Sequence, residues 1–152
     1  MNSIYIHLIL NHIPILGTIF CLIFLLYAAI SKNKQLQQIN CLLLVLISII
    51  ALPVFFSGHN AHETLEKLPE ISKNAIENHE DAALPALIAI EITGVIALTS
   101  LIAGKQFGQS SIYLTTAVLI LSLVSALLLL KTAYTGGHIR HPELRPGFQI
   151  PL

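Results

Sequence analysis

Four long apolar segments, separated by polar connections, dominate the pattern along the chain. Residues 4–30, 39–56 and 112–130 contain no Asp, Glu, Lys or Arg, and residues 82–103 contain only Glu91. A helix needs roughly 20 residues to cross the hydrocarbon core of a bilayer, and lipid offers no partner for non-helical backbone. The pattern predicts an all-α membrane protein, a four-transmembrane-helix bundle with spans over residues 4–30, 39–56, 82–103 and 112–134.

Composition supports one membrane domain over residues 1–152. Only 11% of the residues are charged and 55% are hydrophobic, whereas soluble domains carry about a quarter charged residues. The formal net charge is zero, which argues for a lipid bilayer and against nucleic acid as a partner. The sequence contains no nucleophile arrangement or phosphate loop, so a self-contained hydrolase or kinase is not expected. Oligomerisation is left open.

Two further segments lie outside the predicted spans. The surface loop 57–81 has apolar residues at helical spacing with Glu and Lys between them, which predicts a short amphipathic helical lid, split at Pro69. In the tail 135–152, Gly136 and Gly137 are expected to end the fourth helix and let the chain fold back.

The short connections predict the orientation. Four crossings put both termini on one side, which we call end A, and put connections 31–38 and 104–111 at the opposite end B. Those two connections carry Lys32, Lys34 and Lys105 and no acidic residue. The positive-inside rule therefore favours a cytoplasmic end B, with both termini periplasmic or external in a bacterial inner membrane.

All seven histidines fall at end A of this topology. His7 and His12 are the informative ones, because they lie within an apolar run where an imidazole needs a partner. A stripe of small residues on the third span extends back by three positions to His79, which would face the bundle interior if that helix begins early enough. Glu91 is expected to form a polar tie with hydroxyl groups of the fourth helix, or to mark a proton or ion site.

Short motifs give the chain a resemblance to a known group. The sequence contains LNHIP at residues 10–14, Ser57-Gly58, His79-Glu80 and GGHIRHPE at residues 136–143. These pieces span nearly the whole chain and resemble a family of small, largely uncharacterised bacterial four-helix inner-membrane proteins with LNHxP and GGxIRHPE motifs. The resemblance implies the fold and the membrane location, and it implies no activity.

The histidines favour b-type haem, because imidazoles on facing helices hold haem iron in helical bundles. His7 and His12 are five positions apart, about 140° around a helix, so each would bind its own haem. His79 and His141 are the candidate partners, and Arg140 and Arg145 could pair with the propionates. This predicts a membrane-bound b-type cytochrome-like protein with one or two haems near the outer face, passing electrons to redox or respiratory membrane proteins.

Two alternatives stay open. The same histidines could hold zinc, copper or iron without haem, with Glu80, His138 and Glu143 as further ligands. The chain could also be a structural or accessory subunit of a membrane complex. Enzymatic activity is undecided, and the sequence favours an electron-transfer or accessory subunit.

Overall fold

The computed structural model describes residues 3–65, 72–107 and 111–141 and is almost entirely helical. Its helices are α1 (Ser3–Leu10), α2 (His12–Ile30), α3 (Lys34–Leu65), α4 (Lys73–Phe107) and α5 (Ile112–Arg140). Four stretches are long and apolar enough to cross a membrane: Tyr5–Ile30, Lys34–Ala61, Lys73–Gln106 and Ile112–Ile139. The predicted all-α four-helix bundle is thereby confirmed.

The first span is interrupted at Asn11, which separates α1 from α2. Pro14 follows three residues later and has no N–H to donate to the carbonyl of Leu10, so the helical hydrogen-bond ladder is broken at this point. The backbone N–H of Asn11 still donates to the carbonyl of His7 at 2.9 Å. Asn11 keeps right-handed helical dihedral angles, φ −60° and ψ −26°, and α1 on its N-terminal side carries His7.

The structure corrects the prediction of a separate lid between the second and third spans. Residues 57–65 continue α3 and residues 73–81 belong to α4, so they do not form a separate lid. Pro53 and Pro85 lie inside these helices and do not mark helix ends. The site where the lid was expected to split, Pro69, lies outside the described residues.

The end of the fourth span also differs from the prediction. Gly136 and Gly137 do not end the helix, because α5 continues through them to Arg140. A glycine costs a helix interior about 0.5–1 kcal/mol relative to alanine. One of these two, Gly136, lies against the ring of His79.

Large apolar side chains face outward along every span. Phe20 is 58% exposed, Ile49 57%, Val95 62% and Leu127 59%. A contiguous apolar exterior of this kind is rare on soluble monomers and matches the acyl chains of a bilayer. The chain is therefore built as a multi-pass membrane protein.

The interior combines small and hydroxyl-bearing residues with large apolar side chains such as Leu25, Leu44 and Ile90, which are fully buried. The small-residue stripe of α4 faces it, with Ala82, Ala86, Thr93, Ala97 and Ser100 all buried. Small side chains let membrane helices approach closely. The hydroxyl groups of Thr93 and Ser125 lie 2.9 Å apart and tie α4 to α5 at mid-depth.

The predicted hydrogen bond between Glu91 and the fourth span, which is α5, is not observed. Oε1 of Glu91 is buried and has no hydrogen-bond partner within the described part of the chain. The hydroxyl of Ser125, one of its expected partners, is bonded to Thr93 instead. The cross-helix polar contact at this depth is thus made by two hydroxyl groups.

Candidate functional site

Two histidines from opposite halves of the chain meet at end A. His7 lies on α1 and His79 on α4, and their ring centroids are 6.2 Å apart with the ring planes at 82°. Both side chains are partly buried. His79 reaches the interior because α4 begins at Lys73, early enough to carry the small-residue stripe back to position 79. The expectation that His79 faces into the bundle is thus confirmed.

The ring of His7 is held by α3. Its Nδ1 atom lies 2.9 Å from the carbonyl oxygen of Val54. The hydroxyl of Ser57 donates to the same carbonyl at 2.8 Å. The ring lies over Gly58, where an added Cβ atom would be 2.7 Å from Cε1 of the imidazole. Position 58 therefore has room for the ring only because its residue has no side chain.

The ring of His79 is held by α5 with the corresponding carbonyl and glycine contacts and one further contact to a hydroxyl. Its Nδ1 atom lies 3.0 Å from the carbonyl oxygen of Thr132 and 3.4 Å from the hydroxyl oxygen of Thr135. That hydroxyl donates to the Thr132 carbonyl at 3.0 Å. An added Cβ atom at Gly136 would be 3.1 Å from Cε1 of the ring. Each half of the chain thus supplies one histidine, one carbonyl, one hydroxyl and one glycine.

The carbonyl partners define the chemistry of the two rings. A carbonyl oxygen only accepts hydrogen bonds, so Nδ1 of each neutral ring carries the proton. Nε2 then keeps its lone pair and can bind a metal. An Nδ1–H bond to a main-chain carbonyl is the usual way in which proteins orient a metal-binding histidine.

The other candidate ligands are placed less favourably. His12 and His141 have exposed side chains. Among the additional ligands considered for a metal ion, Oε1 of Glu80 lies 3.5 Å from Nδ1 of His59. The ring of His138 packs against Tyr134 with centroids 4.4 Å apart. The side chain of Arg140 and the whole of Glu143 and Arg145 lie outside what the structure describes.

A non-haem site built from three or more protein ligands is not found in the described ranges. Within residues 3–65, 72–107 and 111–141, no group of three or more His, Cys, Asp or Glu side chains could hold a metal ion. Cys21 and Cys41 are free and buried in the core. Within the same ranges, the close pair of imidazoles at end A is that of His7 and His79.

Sequence reasoning missed the residues that position the two rings. Gly58 appeared only as part of a short motif, and Gly136 was expected to end the fourth helix. Val54 and Thr132 contribute through main-chain carbonyls, which no side-chain pattern reveals. A usable signal was present, since a hydroxyl residue followed by glycine occurs near end A in both halves, as Ser57-Gly58 and Thr135-Gly136.

Comparison with known proteins adds no relative. No family model matches the chain, and no curated protein or solved structure is detectably similar to it. The resemblance to the LNHxP family stays a prediction from short motifs.

Proposed function

We propose that this chain is a membrane-bound b-type cytochrome-like electron-transfer protein that binds one haem between His7 and His79. The observation that carries the proposal is the paired histidine geometry, with centroids 6.2 Å apart and both Nδ1 atoms engaged by carbonyls. Two imidazoles that bind one metal from opposite sides, through bonds of about 2.0–2.1 Å, have ring centroids roughly 6 Å apart.

The donor set suits haem better than a bare ion. The macrocycle itself supplies four nitrogen ligands, so two histidines complete the coordination of the iron. They come from different spans, as is common for cofactors in helical bundles. His7 and His79 are the proposed ligands. His12 and His141 have exposed side chains and do not belong to the pair.

The geometry also favours electron transfer over catalysis. If His7 and His79 both held the iron, they would leave no ligand position for a substrate or for oxygen, and the haem would supply electron transfer alone. The role of the protein is then to hold both rings, exclude water from the apolar interior and set the reduction potential.

The location follows from the topology. His7 and His79 lie near end A, and the lysines of the short connections favour a cytoplasmic end B. We therefore place the haem near the periplasmic face of a bacterial inner membrane, where a redox partner protein outside the membrane could approach it. Arg140 and Arg145 stay candidates for the propionates.

The absorption spectrum of the purified protein tests the proposal. The wild type, purified from haem-supplemented cells, should show a Soret band that shifts on reduction, with one haem per chain. His7→Ala and His79→Ala should each lose the band, and the matched control His12→Ala should keep it. A wild type that stays colourless after haem is added would overturn the proposal. A different metal at one per chain in elemental analysis would then identify the alternative.

A further inference from the structure

The two histidines are held by a duplicated arrangement of main-chain and hydroxyl groups. In α3 a carbonyl at position 54 accepts from a histidine and from the hydroxyl three residues later, and glycine follows at position 58. In α5 the carbonyl at position 132, the hydroxyl at 135 and the glycine at 136 have the same spacing and repeat these three contacts, and the hydroxyl at 135 in addition contacts the ring nitrogen. The two sets come from different helices and hold different rings.

We infer that Ser57 and Thr135 are equivalent positioning residues, which tune the two histidines through the carbonyls that they share with them. Both carbonyls lie inside helices, where each already accepts from the backbone N–H four residues later. A carbonyl oxygen has two lone pairs, so the hydroxyl competes with the imidazole N–H for what remains of the acceptor. The hydroxyl group therefore weakens the Nδ1–H···O bond. A weaker bond makes the imidazole a less basic ligand at Nε2.

Each hydroxyl can donate a hydrogen bond to the carbonyl that its histidine also uses, and this contact does not require a bound haem. Ser57 is buried, and its hydroxyl donates to Val54 at 2.8 Å. The Thr135 hydroxyl lies 3.0 Å from the Thr132 carbonyl oxygen and 3.2 Å from that of Lys131, the shorter contact being the one to Thr132. Its oxygen also lies 3.4 Å from Nδ1 of His79. Ser and Thr offer the same hydroxyl group, so the difference in residue type preserves the contact.

The tautomers of the two imidazole rings should be fixed in the cofactor-free protein as well. Free imidazole in water carries its proton on either nitrogen, whereas both rings here should be locked with the proton on Nδ1. Removal of the Ser57 hydroxyl should strengthen the bond of His7 alone, and removal of the Thr135 hydroxyl should strengthen that of His79 alone. The inference rests on the proposed function only for its effect on a reduction potential.

Side-chain ¹⁵N NMR of histidine-labelled, haem-free protein is the first test. Two rings should show the Nδ1–H tautomer, assigned by their disappearance in His7→Asn and His79→Asn. Ser57→Ala should shift the Nδ1 resonance of His7 and leave that of His79 in place, and Thr135→Ala should do the reverse. The swaps Ser57→Thr and Thr135→Ser should keep the wild-type resonances, because each retains a hydroxyl.

A matched control separates this effect from a general loss of a helix hydroxyl. Thr99 donates to the carbonyl of Val95 at 2.9 Å on the exposed side of α4, and none of the described histidine side chains shares that carbonyl. Thr99→Ala should leave both histidine resonances unchanged. Nε2–H tautomers at both rings, or resonances that Ser57→Ala and Thr135→Ala do not move, would overturn the inference.

The reduction potential provides the second readout. In haem-loaded protein, Ser57→Ala and Thr135→Ala should both lower the midpoint potential, because a more basic imidazole favours ferric iron. Thr99→Ala should not change it. A protein that binds no haem yet shows the expected tautomers would refute the proposed function and leave this inference standing. Potentials that move in opposite directions would refute the equivalence of the two positions.

Discussion

The ring of His7 lies directly over Gly58, and a Cβ atom at position 58 would come within 2.7 Å of its Cε1 atom. Real Cβ contacts are essentially never this short, so a side chain at position 58 must displace the ring. The ring is held in place by its 2.9 Å bond to the carbonyl of Val54, which a displacement would disturb. One glycine therefore sets the position of one proposed ligand.

Gly58→Ala is expected to weaken haem binding by tenfold or more, since His7 would be pushed off its carbonyl. Gly136→Ala should have a smaller effect, because its Cβ would be 3.1 Å from Cε1 of His79 and a shift of a few tenths of an ångström relieves it. Haem titration followed at the Soret band measures both affinities.

Gly137 provides the matched control. An added Cβ there meets no described atom within 4 Å. Gly137→Ala should leave haem affinity unchanged and stabilise the protein by about 0.5–1 kcal/mol, the usual gain from removing a helix-interior glycine. Equal haem affinities for the position 58 and position 137 variants would show that ring packing on Gly58 does not matter.

The fold could be predicted from the sequence because a bilayer strongly restricts which backbone structures can cross it. Long uncharged runs can only be helices in lipid, and the spacing of the small residues in α4 correctly predicted that His79 faces inward. The second span was predicted to end at residue 56, whereas α3 continues through residues 57–65. A helix that leaves the membrane keeps its backbone hydrogen bonds while its residues become polar, so the change in residue type does not mark its end. The pairing of His7 with His79 depends on how helices pack, and a main-chain carbonyl acceptor leaves no trace in residue type.

Pro14 is expected to control the placement of His7 from seven residues away. Pro14→Ala restores an N–H for the carbonyl of Leu10 and should join α1 to α2 in one straight helix. Spin labels at the exposed positions Tyr5 and Ile23 would report this change, because a straight helix over 18 residues rises about 27 Å. The label distance should lengthen toward that rise, and haem affinity should fall.

Leu16→Ala is the control for Pro14, as it alters an exposed side chain two residues away and leaves the backbone donors intact. It should change neither the label distance nor the haem affinity. An unchanged label distance in Pro14→Ala would show that the break at Asn11 has another cause.

The hydroxyl pair of Thr93 and Ser125 should stabilise the packing of α4 on α5. Hydrogen bonds between membrane helices contribute about 0.6 kcal/mol on average, and up to about 1.7 kcal/mol. A double-mutant cycle with Thr93→Val and Ser125→Ala should give a coupling energy in this range, measured by denaturation in mild detergent. Thr99→Val, which removes an exposed hydroxyl bonded within its own helix, should show no coupling with Ser125→Ala.

The orientation of the bundle can be tested with single cysteines on intact cells. Ser31 at end B and Asn78 at end A are both exposed, whereas the native Cys21 and Cys41 are buried and should react slowly. Lysines concentrated in the short connections favour a cytoplasmic end B. A membrane-impermeant maleimide should therefore label Asn78→Cys on intact cells and Ser31→Cys only after the membrane is permeabilised. The reverse pattern would place the histidine pair at the cytoplasmic face and give any haem there a cytoplasmic redox partner, while leaving the ligand geometry intact.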